Sequence, residues 1–291
     1  MQLVAFQVLN GFVFGMLLFL LSAGLSLIFG LMRVLNLAHG SFYMLGAFFG
    51  FALVNATGNF WLSFFLAPLL VALLGGVFEA VFLRPLYRRE LSGHLDQMLL
   101  TVGFIFVFVD VVRSLWGGDV LGIPTPEALT GAVSFAGLLL PKYRLFIILL
   151  GLAVAAGLWL LIEHTRLGSK LRAGVDDADM AAGMGINVSR MFTCTFALGV
   201  GLAGLAGVAA GPMLGVNIGM DLEILIVTLI VVVIGGMGSL KGALLASILI
   251  GEADTFGKAY FPEGTLFLIY VLMLAVLLVR PAGLFGLRQD G

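Results

Sequence analysis

The chain has 291 residues, 61% hydrophobic and only 11% charged, with 15 basic and 16 acidic residues leaving a net charge of −1. Soluble domains carry about 25% charged residues, so the composition excludes a water-soluble globule, and the near-neutral balance gives nothing in favour of nucleic acid. The single cysteine, Cys194, excludes an intramolecular disulfide and a thiolate metal site.

A bilayer core of about 30 Å takes about 20 apolar residues per helix, so the length suits roughly eight to ten segments. Apolar runs bounded by charges, prolines or glycine clusters predict helices near 4–30, 41–57, 60–82, 97–115, 145–162, 190–212, 222–235, 240–252 and 265–280. Runs such as 12–21 and 225–234 are apolar on both faces, which excludes the alternation of a transmembrane barrel. No Lys or Arg precedes Arg33, so the first run is expected to be a retained helix rather than a cleaved signal. If the connections alternate sides, 11 basic residues fall on one side and only Arg113, Lys142, Arg144 and Lys258 on the other. The positive-inside rule then makes 83–96, 163–190 and 286–291 cytoplasmic, with the N-terminus outside and the C-terminus inside.

In chain order, the first break places Arg33, Asn36 and His39 between two apolar runs. Arg33 reads as an interfacial anchor. Polar groups at membrane depth are costly, so Asn36 and His39 either line a path or hinge, or make a satisfied structural bond. Glu79 and Arg84 read as a structural pair near the inner interface, and Asp110 and Arg113, three apart on one helix face, as another near the outer one. In 163–190, Asp176, Asp177 and Asp179 are expected in the first turn of one short helix that Gly183 and Gly185 end. A helix of two to three turns is marginal in water. It is either packed as a loop or held by a partner. Small residues four apart, at Gly11/Gly15, Gly46/Gly50 and Gly199/Ala203/Gly207/Gly211, read as close-packing ridges.

The segments 222–235 and 240–252 are short, roughly 20 Å each at 1.5 Å per residue. They meet at 235–242, where four of eight residues are glycine; such backbone within a bilayer must be covered by protein or line a cavity. Phe29-Gly30-Leu31-Met32-Arg33 followed by Gly40 echoes Ile234-Gly235-Gly236-Met237 followed by Lys241-Gly242. Interrupted helices in corresponding places are the sequence pointer to a transport site.

Chemistry of the catalytic kind is missing. The three histidines are scattered, and no HExxH, CxxC or GxSxG occurs, so neither an enzyme nor a resident metal or cofactor is expected. The stretch from Gly251 to Ala259 misses a phosphate loop, with one residue too many between its glycines and Ala259 where Ser or Thr would hold magnesium. Any ATP is therefore used by a partner.

Taken in order, Asn36-Leu37-Ala38-His39-Gly40, Leu83-Arg84-Pro85-Leu86, the helix of 177–187, Gly235-Gly236-Met237-Gly238-Ser239 and Arg280-Pro281-Ala282-Gly283-Leu284-Phe285-Gly286 resemble the permease subunits of branched-chain amino acid ABC importers. The resemblance spans almost the whole chain. It implies an all-α polytopic membrane protein of eight or nine spanning or half-spanning helices, with 1–291 as one permease domain and a cytoplasmic coupling loop at about 163–190. It further implies a bacterial-type inner membrane, a second permease (identical or paralogous), two ATP-binding subunits and an external substrate-binding protein. ABC permeases carry Glu-Ala-Ala, three residues, then Gly, where they dock on the ATPase. Asp179, Met180, Ala181 and Gly185 occupy those places here, departing at the first two. Arg172, Asp176, Asp177, Asp179, Ala181, Gly185 and Asn187 are thus the expected coupling residues, and Asn36, His39, Gly235, Gly236 and Gly238 the expected path or hinge.

The family also serves urea, short amides and aromatic acids. An ion-coupled secondary transporter should place acidic residues in mid-helix at broken segments, and only Asp110 comes close. A channel has no use for the 163–190 stretch. With so few ionised groups in the middle thirds of the spans, the passage is expected to be mostly apolar, selectivity to lie in the binding protein, and the cargo, by resemblance, to be a small aliphatic amino acid.

Overall fold

The computed structural model describes residues 2–32, 34–87, 94–135 and 138–286, with only the backbone described at 2, 3, 87, 94, 135, 138, 175, 176, 178 and 179. Arg33, the expected anchor, lies outside the described residues, as do most of 286–291 and the middle of 83–96. The chain runs through α1 (Gln2–Met32), α2 (His39–Thr57), α3 (Phe60–Phe78), α4 (Arg84–Tyr87) and α5 (His94–Trp116). It continues through β1 (Ala132–Phe135), β2 (Leu138–Pro141), α6 (Lys142–His164), α7 (Arg166–Asp176), α8 (Ala178–Gly183), α9 (Val188–Leu214), α10 (Met220–Gly235), α11 (Leu240–Tyr260) and α12 (Thr265–Val279). Among the described residues, seven helical stretches are long and apolar enough to cross a membrane. With α10 and α11 added, every predicted apolar run is a helix.

Hydrocarbon on all sides forces backbone bonds inside each segment, and contact with neighbours then decides which faces are buried. α1 is apolar all round, as a central helix must be, and is almost wholly buried from Val13 to Ile28. Gly11 and Gly15 press on Glu252, Ser247 and Ile248 of α11, while Gly251 presses back on Gly11 and Gly15. α9 lies between α2 and α3, its Gly204 against Gly46 on one side and Val71 on the other. The ridges therefore act as the spacing predicted. Phe42, Phe78, Phe104, Phe108 and Phe196 form one cluster with ring centroids 4.7–6.2 Å apart, while Phe65, Phe106 and Phe267 remain exposed on the apolar surface.

Beyond shifts of one to three residues at helix ends, four features differ from the sequence expectation. The third span does not stop at 82: α3 passes through a π-turn, Glu79–Leu83, into α4. Pro85 has no N–H to continue the regular ladder, and Arg84 donates to the Glu79 carbonyl one residue further back. α11 reaches Tyr260 rather than 252, because burial against α1 and an Asp254–Lys258 pair of 2.7 Å carry the helix through a charged stretch. The expected single helix at 176–185 is two: α7 ends at Asp176, and Asp177 turns extended (φ −152°, ψ 103°) before α8. Between α5 and α6 there is an unforeseen antiparallel hairpin, β1 on β2, pairing Ala132 with Pro141 and Phe135 with Leu138. A bridge between Leu121 and Val216 fastens this connection to the α9–α10 loop.

Alternation of the spans puts the hairpin, the α9–α10 loop and the α11–α12 turn at one end, called here the hairpin end. α7, α8 and the α10–α11 turn lie at the other, the α8 end.

Candidate functional site

α2 does not begin at the membrane surface. Its first residue, His39, donates from Nε2 to the Leu21 carbonyl 3.0 Å away, and Leu21 lies 11 residues back from the end of α1, about 16 Å at 1.5 Å per residue. Residues 34–38 are thus an irregular return segment running back into the bundle. Asn36 and His39 are fully buried, and neither Asn36 side-chain atom nor His39 Nδ1 has a partner among the described residues. Leu37 N–H donates to Thr101 Oγ1 (3.3 Å), so α5 helps to seat this segment.

The start of α10 meets this point. Asp221, buried in its first turn, accepts from Ser41 Oγ–H at 3.1 Å, while its Oδ1 has no partner among the described residues. Gly40 packs on the Asp221 backbone carbonyl, where a side chain would not fit. Two helix starts, each after a non-helical stretch, therefore converge inside the bundle. The first break is legible in the sequence; Asp221 is the addition from the fold, and its one sequence signal is an acid two residues after Gly219 of the Gly215–Gly219 pair.

At the α8 end, the glycine turn is packed rather than open. Gly30 meets Gly238 so closely that an added Cβ would lie 2.6 Å from the Gly238 Cα, which brings the two echoing breaks together. The final motif wraps the turn: Leu284 N–H donates to the Ile234 carbonyl (2.8 Å) and Phe285 N–H to the Gly235 carbonyl (3.0 Å), and Gly236 (φ 96°) abuts Gly283. The last carbonyls of α10 are satisfied in this way, as a buried helix end requires.

The expected coupling residues form a set of caps. Arg172 donates to the Ile162 carbonyl (2.7 Å) and reaches Glu163 at 3.5 Å, tying α7 to the end of α6. The Asp177 carboxylate accepts from Met180 N–H (2.9 Å) and caps α8. Ile186 N–H donates to the Ala181 carbonyl (3.0 Å) and Gly185 N–H to that of Ala182 (2.9 Å), the paired 6→1 and 5→2 bonds of a Schellman ending. Gly185 holds φ 85°, the left-handed conformation that this ending demands. Asn187 accepts from Arg190 N–H (3.0 Å) and starts α9. Ala181 faces inward, but Met180 and Met184 are 67% and 79% exposed. The side chains of Asp176 and Asp179 lie outside the described residues.

Glu79 and Arg84 pair as expected, at 3.0 Å, with Glu79 fully buried and Thr193 Oγ1 donating to it at 2.7 Å. The Asp110–Arg113 pair is loose, at 3.9 Å with both side chains exposed, and pairs of that kind contribute little.

Two cavities open at opposite ends. The hairpin-end cavity, about 620 Å³, lies between α1, α2, α10, α11 and α12 and carries both signs of charge, from Glu223, Asp254, Glu263 and Lys258, with Asn217 and Tyr43 beside them. The α8-end cavity, about 560 Å³, lies between α1, α6, α7 and α9 behind the α8 ending.

Helices that begin inside the bilayer, flanked by a cavity at each end, are the architecture of a permease: a multi-pass membrane protein organised around passage. The chain belongs to the family described as branched-chain amino acid transport system / permease component, whose model matches residues 7–277. It is 29% identical to the high-affinity branched-chain amino acid transport system permease protein BraD of Pseudomonas aeruginosa, over 96% of this chain and 95% of that one. It is 28% identical to the corresponding LivH of Escherichia coli K12 (96% and 94%), and 26% identical to a probable LivH permease of Methanocaldococcus jannaschii (94% and 90%). PsaBC from Streptococcus pneumoniae, solved in complex with Fab, aligns over 93% of this chain and 89% of that chain, at TM-score 0.49 and 14% identity.

Proposed function

We propose that the whole chain is the non-catalytic permease subunit of an inner-membrane ABC importer, carrying a small aliphatic amino acid delivered by an external binding protein. ATP is hydrolysed by two partner subunits, and a second permease, identical or paralogous, completes the path. The α8 end faces the cytoplasm, with the N-terminus outside and the C-terminus inside.

The observation that carries this reading is α8. It is a helix of six residues outside the bundle, fixed at both ends by caps and presenting Met180 and Met184 to the exterior. So short a helix does not persist in water without such fixing, and exposed methionines form adaptable docking surfaces. Asn36, His39 and the convergent starts of α2 and α10 are the mid-membrane part of the path, and the turn with Gly235, Gly236 and Gly238 is the hinge between α10 and α11. The hairpin-end cavity is the mouth. Its cation and carboxylates suit a zwitterion better than an aromatic acid anion, whose charge three carboxylates would repel.

Replacing Met180 and Met184 with Asp tests the docking, since both side chains are largely exposed. The variant is expected to reach the membrane normally but to lose co-purifying ATPase and substrate-stimulated hydrolysis by about tenfold. Retention of both at wild-type levels would contradict the assignment.

A further inference from the structure

The α8-end cavity is lined by Leu27, Leu161 and Leu198, with Lys170, Arg190 and Cys194 at its rim. Leu161 is in the last turn of α6, and Leu198 is ten residues into α9, about 15 Å from its start at 1.5 Å per residue. The groove thus runs from headgroup level to roughly half the depth of a 30 Å hydrocarbon core. Trp159, half-exposed and edge-on to His164 with centroids 4.7 Å apart, marks the interfacial level on the same helix. Neither Lys170 nor Arg190 is in an ion pair among the described residues, whereas Arg172 beside them is matched by Glu163. An apolar trough with two cations at its polar mouth, neither in an ion pair among the described residues, fits one ligand chemistry: an acyl chain joined to an anionic head.

We propose that this groove binds an anionic phospholipid of the inner leaflet, its phosphate held by Lys170 and Arg190 and one acyl chain lying along Leu27, Leu161 and Leu198. Met184, Gly185, Ile186 and Asn187, the ending of α8 and the start of α9, also line this groove, on its exposed side. A bound lipid braces the segment that the proposed function assigns to coupling, so lipid composition tunes how firmly α8 is presented. The inference rests on that reading for which leaflet supplies the lipid and for what the braced segment does. The groove and its cations exist at whichever face the α8 end lies.

The test uses the purified, intact assembly in nanodiscs of phosphatidylglycerol or phosphatidylcholine, with phospholipid retention counted by native mass spectrometry. Alkylation of Cys194, exposed in the groove, is read in parallel. Phosphatidylglycerol is expected to be retained and to slow Cys194 alkylation, phosphatidylcholine to do neither, and inorganic phosphate not to displace it. Lys170→Gln with Arg190→Gln should weaken retention about 30-fold, the factor for two cations at about 1 kcal/mol each. Leu161→Trp, which fills the trough and keeps both cations, should also expel the lipid. Equal retention of both lipids, indifference to these substitutions, or protection of Cys194 by the ATPase alone would overturn the proposal. Loss of ATPase association with lipid retention intact would count against the importer reading and leave the groove standing.

Discussion

Glu79 shows how one residue fixes local geometry far from any ligand. Its carboxylate is fully buried, and Arg84 and Thr193 together satisfy it, which holds the π-turn of the third span against the first turns of α9. Removing one member of a buried charge pair leaves the other uncompensated, a cost of about 3 kcal/mol or more, whereas replacing both by apolar residues is far milder. Glu79→Leu is therefore expected to lower the detergent-phase melting temperature by several degrees, and Glu79→Leu with Arg84→Leu to melt above the single variant. A double variant melting below the single one would show that the pair does not act as a unit. The sequence made this pair legible because its partners are five residues apart. Thr193, which completes it from another helix, was not.

At the scale of elements, the apolar runs were readable because hydrocarbon leaves a twenty-residue chain little choice but a helix. What was hidden depended on contacts between distant elements. α11 continues past Glu252 and Asp254 because α1 covers it, and hydropathy alone ends the helix at those charges. The hairpin strands are four residues each, too short for periodicity to declare them. Asp177 reads as a helix-start residue and does cap α8, but the extended backbone by which it divides one helix into two leaves no mark in the residue pattern. The glycine turn and the C-terminal motif were separate features of the sequence; their mutual hydrogen bonds are long-range and appear only in the fold. Orientation is the prediction at this scale. With Cys194 replaced by Ser and a cysteine placed at exposed Ser169, an impermeant maleimide should label open membranes and spare intact cells. Strong labelling of intact cells would reverse the topology.

For the molecule as a whole, the α8 end and the hairpin end are joined by the buried meeting of α2 and α10, where Asn36, His39 and Asp221 carry side-chain polar atoms without a partner among the described residues. Such atoms are costly at membrane depth unless water or cargo meets them, which suits a point on a path better than a point in a core. On this account α8 receives the ATPase stroke, the glycine hinge at α10–α11 passes it inward, and the mouth cavity takes cargo from the binding protein. The most direct measurement is uptake of a radiolabelled aliphatic amino acid into proteoliposomes holding both permeases and ATPase subunits, with ATP inside and the loaded binding protein outside. Accumulation that requires ATP and the binding protein, and that falls at least tenfold when Met180 and Met184 are changed to Asp, is the predicted result. Uptake that proceeds without ATP, or follows an imposed ion gradient instead, would contradict the account.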